Sequence, residues 1–161
     1  MDVSINTNLV SEVSGFLIHE ADLLDSGNFD KWLTLFDSDA IYWIPSSADQ
    51  TDMKGQVSII LEDMPLLKLR IKRLSHPRAY SVTPPPATVH LIGNIKVEQR
   101  DKMISVNSNL IVTEVRDDLE TQFSGSVTHH LRPEKNSFRI QLKRIDLLRA
   151  GGTLSVISVP L

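Results

Sequence analysis

The stretch that decides the fold is "FLIHEADLLDSGNFDKWLTLFDSDAIYWIP", Phe16–Pro45, because its hydrophobic spacing changes from helical to strand-like along its length. Apolar side chains recur at helical spacing over Val10–Leu24, and the "DSGN" that follows is typical of a helix end. A short second helix is predicted from Asn28, whose side chain can cap it, to a stop at Asp37–Asp39. "AIYWIP" then has the β-branched and aromatic content of a strand.

A third helix is predicted in the middle of the chain, after a short strand at "QVSIIL", residues 56–61. In "EDMPLLKLRIKRLS" the apolar residues share one helical face, and Pro65 fits only in the first turn. Acids stand at the start of this segment and cations at its end, which is the order that the helix macrodipole favours. The connection "HPRAYSVTPPPA" is predicted to be irregular.

From Thr88 onward the hydrophobic pattern changes to period two, which is typical of half-buried strands. Turn signals at "RDK", "RDDLE" and "RPEKNS" divide this region into strands at residues 88–100, 103–116, 121–132 and 137–148. In the last strand the apolar positions change phase, and this predicts a β-bulge near Lys143 and Arg144.

Helices followed by a long antiparallel meander predict an α+β fold, with N-terminal helices packed on one face of a curved, mostly antiparallel sheet. The 161 residues show no repeat and no boundary, so one domain over residues 1–161 is expected. Folds of this shape can enclose a conical cavity, and some of them are enzymes. The fold class alone therefore does not decide the function.

Composition excludes several classes of protein. The formal charge of −3 argues against a general nucleic-acid binder. The absence of cysteine excludes a disulfide framework, a cysteine-ligated iron–sulfur cluster and a thiol nucleophile. No apolar run reaches signal-peptide length or the roughly 20 residues that cross a bilayer, so we expect a cytoplasmic protein that does not bind membranes.

The histidines do not have the spacing of a metal site. A mononuclear iron centre needs two histidines and a carboxylate that converge on one point. His129 and His130 are adjacent in a predicted strand, so they point to opposite faces of the sheet. His19 is far along the chain from the others, and no HExxH or similar pair is present. We predict that this chain binds no metal.

His90 is the best candidate for acid–base catalysis, because it begins a strand and could point into the cavity beside Asp39 or Tyr42. A His–Asp pair in an apolar cone could support a dehydration or an isomerisation. The alternative is a structural histidine, hydrogen-bonded to a loop or to a neighbouring subunit. We favour the structural interpretation of His90.

The run "KLRIKRLSHPR" places five cations, including Lys68, Lys72 and Arg78, in a short segment. Nucleic-acid binding would require interleaved aromatic residues and a net positive charge, and both are missing. The run is better explained as a helix side that faces solvent or a partner. Arg70 and Arg73 are three residues apart, so they could together bind a carboxylate on this chain or another.

Three blocks of this sequence match one family in order and spacing. The first consists of Glu20-Ala21, Leu23-Leu24-Asp25, Trp32, Leu35-Phe36, Asp39-Ala40, Tyr42-Trp43 and Pro45. The second consists of Asp63, Leu67, Arg70, Arg73 and Leu74. The third consists of Pro86, His90, Leu91 and Asn94. With these blocks the chain resembles the small (β) subunits of Rieske non-haem iron aromatic-ring-hydroxylating dioxygenases.

The resemblance implies a cystatin-like or nuclear-transport-factor-like cone and a role in an oxygenase that uses dioxygen and NAD(P)H. In this family a large (α) subunit holds the Rieske [2Fe–2S] cluster, the mononuclear iron and the substrate pocket. The resemblance implies a complex of three large and three small subunits, with electrons supplied by a reductase, sometimes through a ferredoxin.

The expected function is therefore a structural, non-catalytic small subunit with no cofactor of its own, which forms a trimeric base and docks the large subunit. The interface candidates are Arg70, Arg73, His90, Asn94 and Trp43. Two alternatives remain at this stage: a stand-alone cavity enzyme using His90 with Asp39 or Tyr42, and a ligand-binding module without an acid–base pair. The aromatic substrate is not readable from this chain.

Overall fold

The computed structural model describes residues 6–75 and 85–161 and contains three helices and six strands within those ranges. The first part of the chain forms α1 (Thr7–Asp25), α2 (Phe29–Leu33), β1 (Phe36–Ile44), β2 (Ile60–Asp63) and α3 (Met64–Leu74). The second part forms β3 (Ala87–Arg100), β4 (Met103–Arg116), β5 (Leu119–Glu134) and β6 (Ser137–Leu147). None of the described helices is long and apolar enough to cross a membrane.

The six strands form one sheet in the order β2-β1-β6-β5-β4-β3. Every neighbouring pair is antiparallel except β1 and β6, which run parallel. Helix α1 lies against the sheet and contacts β3 and β6. This arrangement confirms the predicted α+β class with helices on a mostly antiparallel sheet.

Helix α1 has defined signals at both ends. Its N-terminus is capped by Asn6, whose side-chain oxygen accepts a hydrogen bond from the backbone N–H of Leu9 at 3.2 Å. At the other end Gly27 takes a left-handed conformation, with φ of 69°. The Asn28 N–H then donates to the Leu23 carbonyl at 2.8 Å, which closes the helix as the "DSGN" predicted.

Helix α3 begins at the position that its sequence indicates. The Asp63 carboxylate accepts a hydrogen bond from the Leu66 N–H at 3.1 Å, and Pro65 occupies the first turn. Lys72 and Arg73 stand in the last turn, where cations stabilise the helix dipole.

The core lies between α1 and the inner face of the sheet. Alternate residues of β4 and β5 are buried as the period-two pattern predicted: Val106, Ser108, Leu110, Val112, Phe123, Val127, His129 and Leu131. From α1 the buried side chains come at helical spacing and include Val13, Phe16, Leu17 and Leu24. Trp32 of α2 packs edge-on against Phe36 and Tyr42 of β1.

The boundary between α2 and β1 differs from the prediction. Helix α2 ends at Leu33 and β1 already begins at Phe36, so Asp37–Asp39 lie in the strand rather than at a helix end. The chain turns earlier because the N–H of Thr34 bonds to the Lys31 carbonyl at 3.1 Å. The side chain of Asn28 makes no capping hydrogen bond to α2, contrary to the prediction.

Strand β2 also begins later than the predicted residues 56–61. The buried Gln50 side chain explains this shift, because it fixes the preceding loop through its amide group. Its nitrogen donates to the Gln56 carbonyl at 3.3 Å and to the Ser58 hydroxyl at 3.0 Å, and its oxygen accepts from the Ser46 N–H at 2.9 Å. These contacts hold the backbone in a loop until residue 58.

The bulge in β6 lies two residues before the predicted position. The pairing with β5 steps from His130↔Leu142 to Leu131↔Ile140, which leaves Gln141 as the extra residue. Downstream of this step Lys143 faces the interior and is 3% exposed. The connection "HPRAYSVTPPPA" begins with His76 and carries Arg78, and both of these lie outside the described residues.

Candidate functional site

A charged cluster lies buried between α1 and the sheet, centred on Glu20. The Glu20 carboxylate accepts hydrogen bonds from the Lys143 ammonium at 2.6 Å and from the Trp32 indole N–H at 3.1 Å. Its second oxygen is 2.9 Å from Nε2 of His129. Glu20 is 1% exposed and His129 is 2% exposed, so this network is sealed from solvent.

Opposing effects act on the pKa of the Glu20 carboxyl. Burial raises the pKa, while the Lys143 ammonium and the hydrogen-bonded His129 lower it by a larger amount. The net result holds the pKa of Glu20 well below its ordinary value. Glu20 is therefore an ionised partner of Lys143 rather than a proton donor.

A second polar contact joins the end of α1 to β3 through Asp25. One carboxylate oxygen of Asp25 lies 2.5 Å from Nδ1 of His90 and accepts the Thr88 hydroxyl at 3.0 Å. The other oxygen accepts the backbone N–H of His90 at 3.1 Å. Burial lowers the pKa of His90, and the hydrogen bond to Asp25 opposes this without reversing it. His90 therefore fixes the end of α1 on the sheet.

The predicted pairing of His90 with Asp39 or Tyr42 is not formed. His90 is on β3, whereas Asp39 and Tyr42 are on β1, and three strands separate β1 from β3 in the sheet. Asp39 is exposed. The buried hydroxyl of Tyr42 accepts the N–H of Leu161 at 3.1 Å, and burial raises the pKa of this tyrosine above its ordinary range. The cavity-enzyme alternative required His90 to pair with Asp39 or with Tyr42, and neither pair is formed.

The donor atoms of the described residues do not fit a redox iron centre. A Rieske cluster takes two cysteine and two histidine ligands, and the sequence has no cysteine. Over residues 6–75 and 85–161 no group of three or more potential ligands is placed to hold a metal ion. His129 and His130 do face opposite sides of the sheet: His129 is buried in the core, and His130 is only partly buried.

The interface candidates on α3 differ in their contacts. Arg70 makes a two-pronged ion pair with Glu62 of β2, with Nε at 2.9 Å and Nη2 at 2.5 Å from the same carboxylate oxygen. This hydrogen bond raises the pKa of Arg70 above its ordinary value. Arg73 is exposed and has no ion pair within the part of the chain that the structure describes. The two arginines therefore do not share a carboxylate among the residues that the structure describes.

Trp43 and Asn94 lie in different parts of the sheet. The Trp43 ring is covered by the Arg144 guanidinium, 4.4 Å from the ring centroid, and its N–H donates to Ser58 at 2.9 Å. Asn94 is exposed at an irregularity of β3, with a left-handed φ of 51°. Trp43 is on β1, next to β6 in the sheet, but its partner on β6 is Arg144, whereas Lys143 of the Glu20 cluster is paired with Tyr42. Asn94 is on the edge strand β3.

Sequence reasoning missed Glu20, Asp25 and Lys143 as the partners of the buried histidines. A signal for Glu20 was present, because it falls in phase with the buried stripe of α1 and is a carboxylate on an apolar face. No comparable signal marked Lys143, since the bulge at Gln141 decides which face of β6 it occupies.

Outside the core, an apolar strip is exposed on the outer face of β3 and β4. We call it the outer strip and define it as Val89, Leu91, Ile111 and Val115, which are 64%, 64%, 39% and 41% exposed. Leu91 and Ile111 are direct cross-strand partners, so their side chains share one face. β3 is also an edge strand of the sheet.

A groove of about 900 Å³ lies near the opposite edge of the sheet. We call it the α3 groove. Its floor is apolar and consists of Leu33, Phe36, Met64 and Ile71. Its walls carry cations from α3 on one side and from the β5–β6 hairpin on the other: Lys68, Lys72, Arg132 and Arg139. Three acids also line it: Asp30, Asp37 and Glu134.

Comparison with known proteins identifies the class. The sequence profile of the ring hydroxylating beta subunit family matches residues 19–151. The chain belongs to this family.

Among its relatives is the anthranilate 1,2-dioxygenase small subunit of Acinetobacter baylyi, 35% identical over 84% of this chain and 87% of that protein. The small oxygenase component of the p-cumate 2,3-dioxygenase system of Pseudomonas putida is 31% identical over 91% and 86% of the two chains.

Solved structures agree with the fold. The beta subunit of benzoate 1,2-dioxygenase from Burkholderia mallei superposes with a TM-score of 0.74 at 25% identity, covering 85% of this chain and 89% of that one. A naphthalene 1,2-dioxygenase structure gives a TM-score of 0.87 at 17% identity over 99% and 89% of the chains, which supports the fold alone. The predicted family and the predicted fold are thus confirmed.

Proposed function

We propose that this chain is the structural, non-catalytic small subunit of an aromatic-ring-hydroxylating oxygenase, and that it supports a large subunit which carries out the oxidation. The observation that carries the proposal is the match to the beta-subunit family over residues 19–151. The proposal treats residues 1–161 as one domain, in keeping with the single sheet and the single core cluster of the described residues.

The interior of the chain supports a structural role. His90 is bound to Asp25, and His129 is bound to Glu20, which also pairs with Lys143. These contacts join α1 to β3, β5 and β6. The residues whose side chains would be best suited to acid–base catalysis therefore hold the helix on the sheet. In the proposed complex the Rieske cluster and the mononuclear iron belong to the large subunit, which has the substrate pocket.

The proposed assembly contains three large and three small subunits, and the outer strip is the proposed self-association surface. Val89 and Leu91 expose apolar side chains that water solvates poorly, and burial of such a patch against a second copy is favourable. The strip includes part of the edge strand β3, whose outer backbone groups have no strand partner among the described residues and offer further bonding positions. A closed trimer would cover three such strips.

The proposed substrates of the complete oxygenase are aromatic carboxylates. Three relatives are named for anthranilate, p-cumate and 2-halobenzoate, each of which is an aromatic acid. Electrons would come from an NAD(P)H-dependent reductase, directly or through a ferredoxin. We also propose a cytoplasmic location. Benzoate, anthranilate and p-cumate are the compounds to assay first.

Light scattering on the purified chain tests the self-association part of this proposal. We expect the wild-type chain to elute as a trimer and the Val89→Glu/Leu91→Glu variant to elute as a monomer with an unchanged circular-dichroism spectrum. The control is Val57→Glu, because Val57 is 86% exposed in the loop before β2, away from the strip. A monomeric wild-type chain, or a double variant that remains a trimer, would contradict the proposed surface.

A further inference from the structure

We propose that the α3 groove is the docking site for an acidic, amphipathic segment of the large oxygenase subunit. This inference rests on the proposed function, since it names the surface through which the small subunit holds its partner. The groove lies beside β1 and α3, at one end of the sheet order, whereas the outer strip lies on β3 and β4 at the other end. A small subunit that binds both its own copies and a large subunit needs two such separate surfaces.

The shape of the groove fits a segment with one apolar face. Along α3, Met64 and Ile71 face the floor, and Lys68, Lys72 and Ser75 follow on the adjacent side of the same helix. The floor is therefore apolar while the rim of this wall is cationic. Phe36, Met64 and Ile71 of the floor are each 4% exposed, so they offer a closed apolar base rather than open surface. A docked segment would lay its apolar side chains over this base, and their acidic neighbours would meet the lysines.

The charges of the groove are unevenly satisfied. On the hairpin wall Arg132 pairs with Asp37 through two hydrogen bonds of 3.0 and 2.7 Å, and Arg139 pairs with Glu134 at 2.6 Å. These arginines already have carboxylate partners.

On the opposite wall, Lys68 and Lys72 are exposed, and neither has an ion pair within residues 6–75 and 85–161. They are four residues apart, so their ammonium groups lie on one side of the helix. Asp30 is the one acid of the lining that likewise has no ion pair among the described residues. The unsatisfied charge is thus +1, from two lysines and one aspartate, which favours an acidic partner segment.

Charge reversal of the two lysines tests the docking site. The variant is Lys68→Glu/Lys72→Glu, and the probe is the purified large oxygenase subunit encoded in the same genome, titrated against the small subunit at 50 mM and 500 mM NaCl. The matched control is Lys54→Glu/Lys102→Glu, which makes the same charge change at two exposed lysines outside the groove. Light scattering of each variant alone reports on self-association.

We expect the groove variant to bind the large subunit at least tenfold more weakly than the wild type at 50 mM NaCl. The difference should shrink at 500 mM NaCl because salt screens charges at an exposed rim. The control should bind the large subunit within twofold of the wild type. In the absence of the large subunit, the wild type, the groove variant and the control should all have the same oligomeric state by light scattering. The neutral variant Lys68→Gln/Lys72→Gln should fall between the wild type and the reversed variant.

Two results would overturn the inference while leaving the proposed function intact. One is a groove variant that binds the large subunit as tightly as the wild type does. The other is a groove variant that loses self-association, because the occupant would then be a second copy of this chain. If the wild-type chain itself does not bind the large subunit, the proposed function fails, and the inference fails with it.

Discussion

The region under α1 and the outer surface of the molecule differ in whether their ionisable and apolar groups have partners within the chain. In the interior Glu20 meets Lys143, and at the end of α1 the buried ring of His90 meets the more exposed Asp25, so each of these groups has a partner on another element. On the outside, Leu91 is exposed on the strip and Lys68 has no ion pair among the described residues. Leu91 and Lys68 are both at positions that a partner could reach.

This difference separates the residues that stabilise the fold from the residues that take part in assembly. Buried pairs between distant segments stabilise one arrangement of helix and sheet, and changes there should alter folding. Exposed apolar and cationic groups add little to the stability of the isolated chain, and changes there should alter assembly.

Lys143→Met should lower the free energy of unfolding by about 3–5 kcal/mol, because it leaves the buried Glu20 charge without its ammonium partner. Urea denaturation followed by circular dichroism measures this loss. Lys96→Met, at an exposed position of β3, is the control and should change stability by less than about 0.5 kcal/mol. The double variant Glu20→Gln/Lys143→Met should be less destabilised than Lys143→Met alone, because it no longer buries an unpaired charge. Equal losses in the two variants would show that Glu20 and Lys143 do not compensate each other's charge.

Asp25→Asn should cost about 1.5–3 kcal/mol, because an amide cannot accept all the hydrogen bonds that the carboxylate receives from Thr88 and His90. Asp22→Asn on the same helix is the matched control, since Asp22 is exposed. Chemical denaturation of the two variants checks the difference. If both variants are as stable as the wild type, the contact between the end of α1 and β3 is not a stabilising one.

Arg144→Lys should cost about 1 kcal/mol. Lysine loses the planar stacking on the Trp43 ring and the paired hydrogen bonds to Asp146 at 2.9 Å. A shift in the urea midpoint measures the loss, and quenching of Trp43 fluorescence by iodide should increase as the ring is uncovered. A variant with wild-type stability and wild-type quenching would contradict this account of the loop.

The smallest effect is a change in the pH dependence of stability. The pKa of folded His90 lies below the 6.5 of the unfolded chain, so the unfolded chain takes up more protons as the pH falls through 6.5. Stability should therefore fall as the pH is lowered from 6.5 towards the folded-state pKa. His90→Gln should show a shallower decline in urea titrations at successive pH values, and a steeper or unchanged decline would contradict the prediction.

The sequence predicted the regular elements well because their signals are local. The period-two pattern placed β4 at Met103–Arg116 with both ends correct, and Asp63 and Pro65 marked the start of α3. These features depend on residues within a few positions of one another. The loop before β2 depends instead on the long reach of the Gln50 side chain, which no periodicity reveals.

The interior could be predicted only in part. Glu20 lies on the apolar stripe of α1 and His129 shares the phase of the buried residues of β5, but these signals were not recognised as a buried cluster. Their third partner, Lys143, is 123 residues from Glu20, and its orientation depends on a one-residue bulge. A shift of one residue in a strand moves a side chain to the other face, so a small error in the position of the bulge hid the whole cluster.

Reconstitution of oxygenase activity tests the central claim most directly. The large subunit, purified with its Rieske cluster and iron, is mixed with the reductase and an aromatic carboxylate, with and without this chain. We predict sustained substrate oxidation only when both subunits are present, and no oxidation by this chain with the reductase alone. Full activity and stability of the large subunit by itself, or turnover by this chain without the large subunit, would contradict the account.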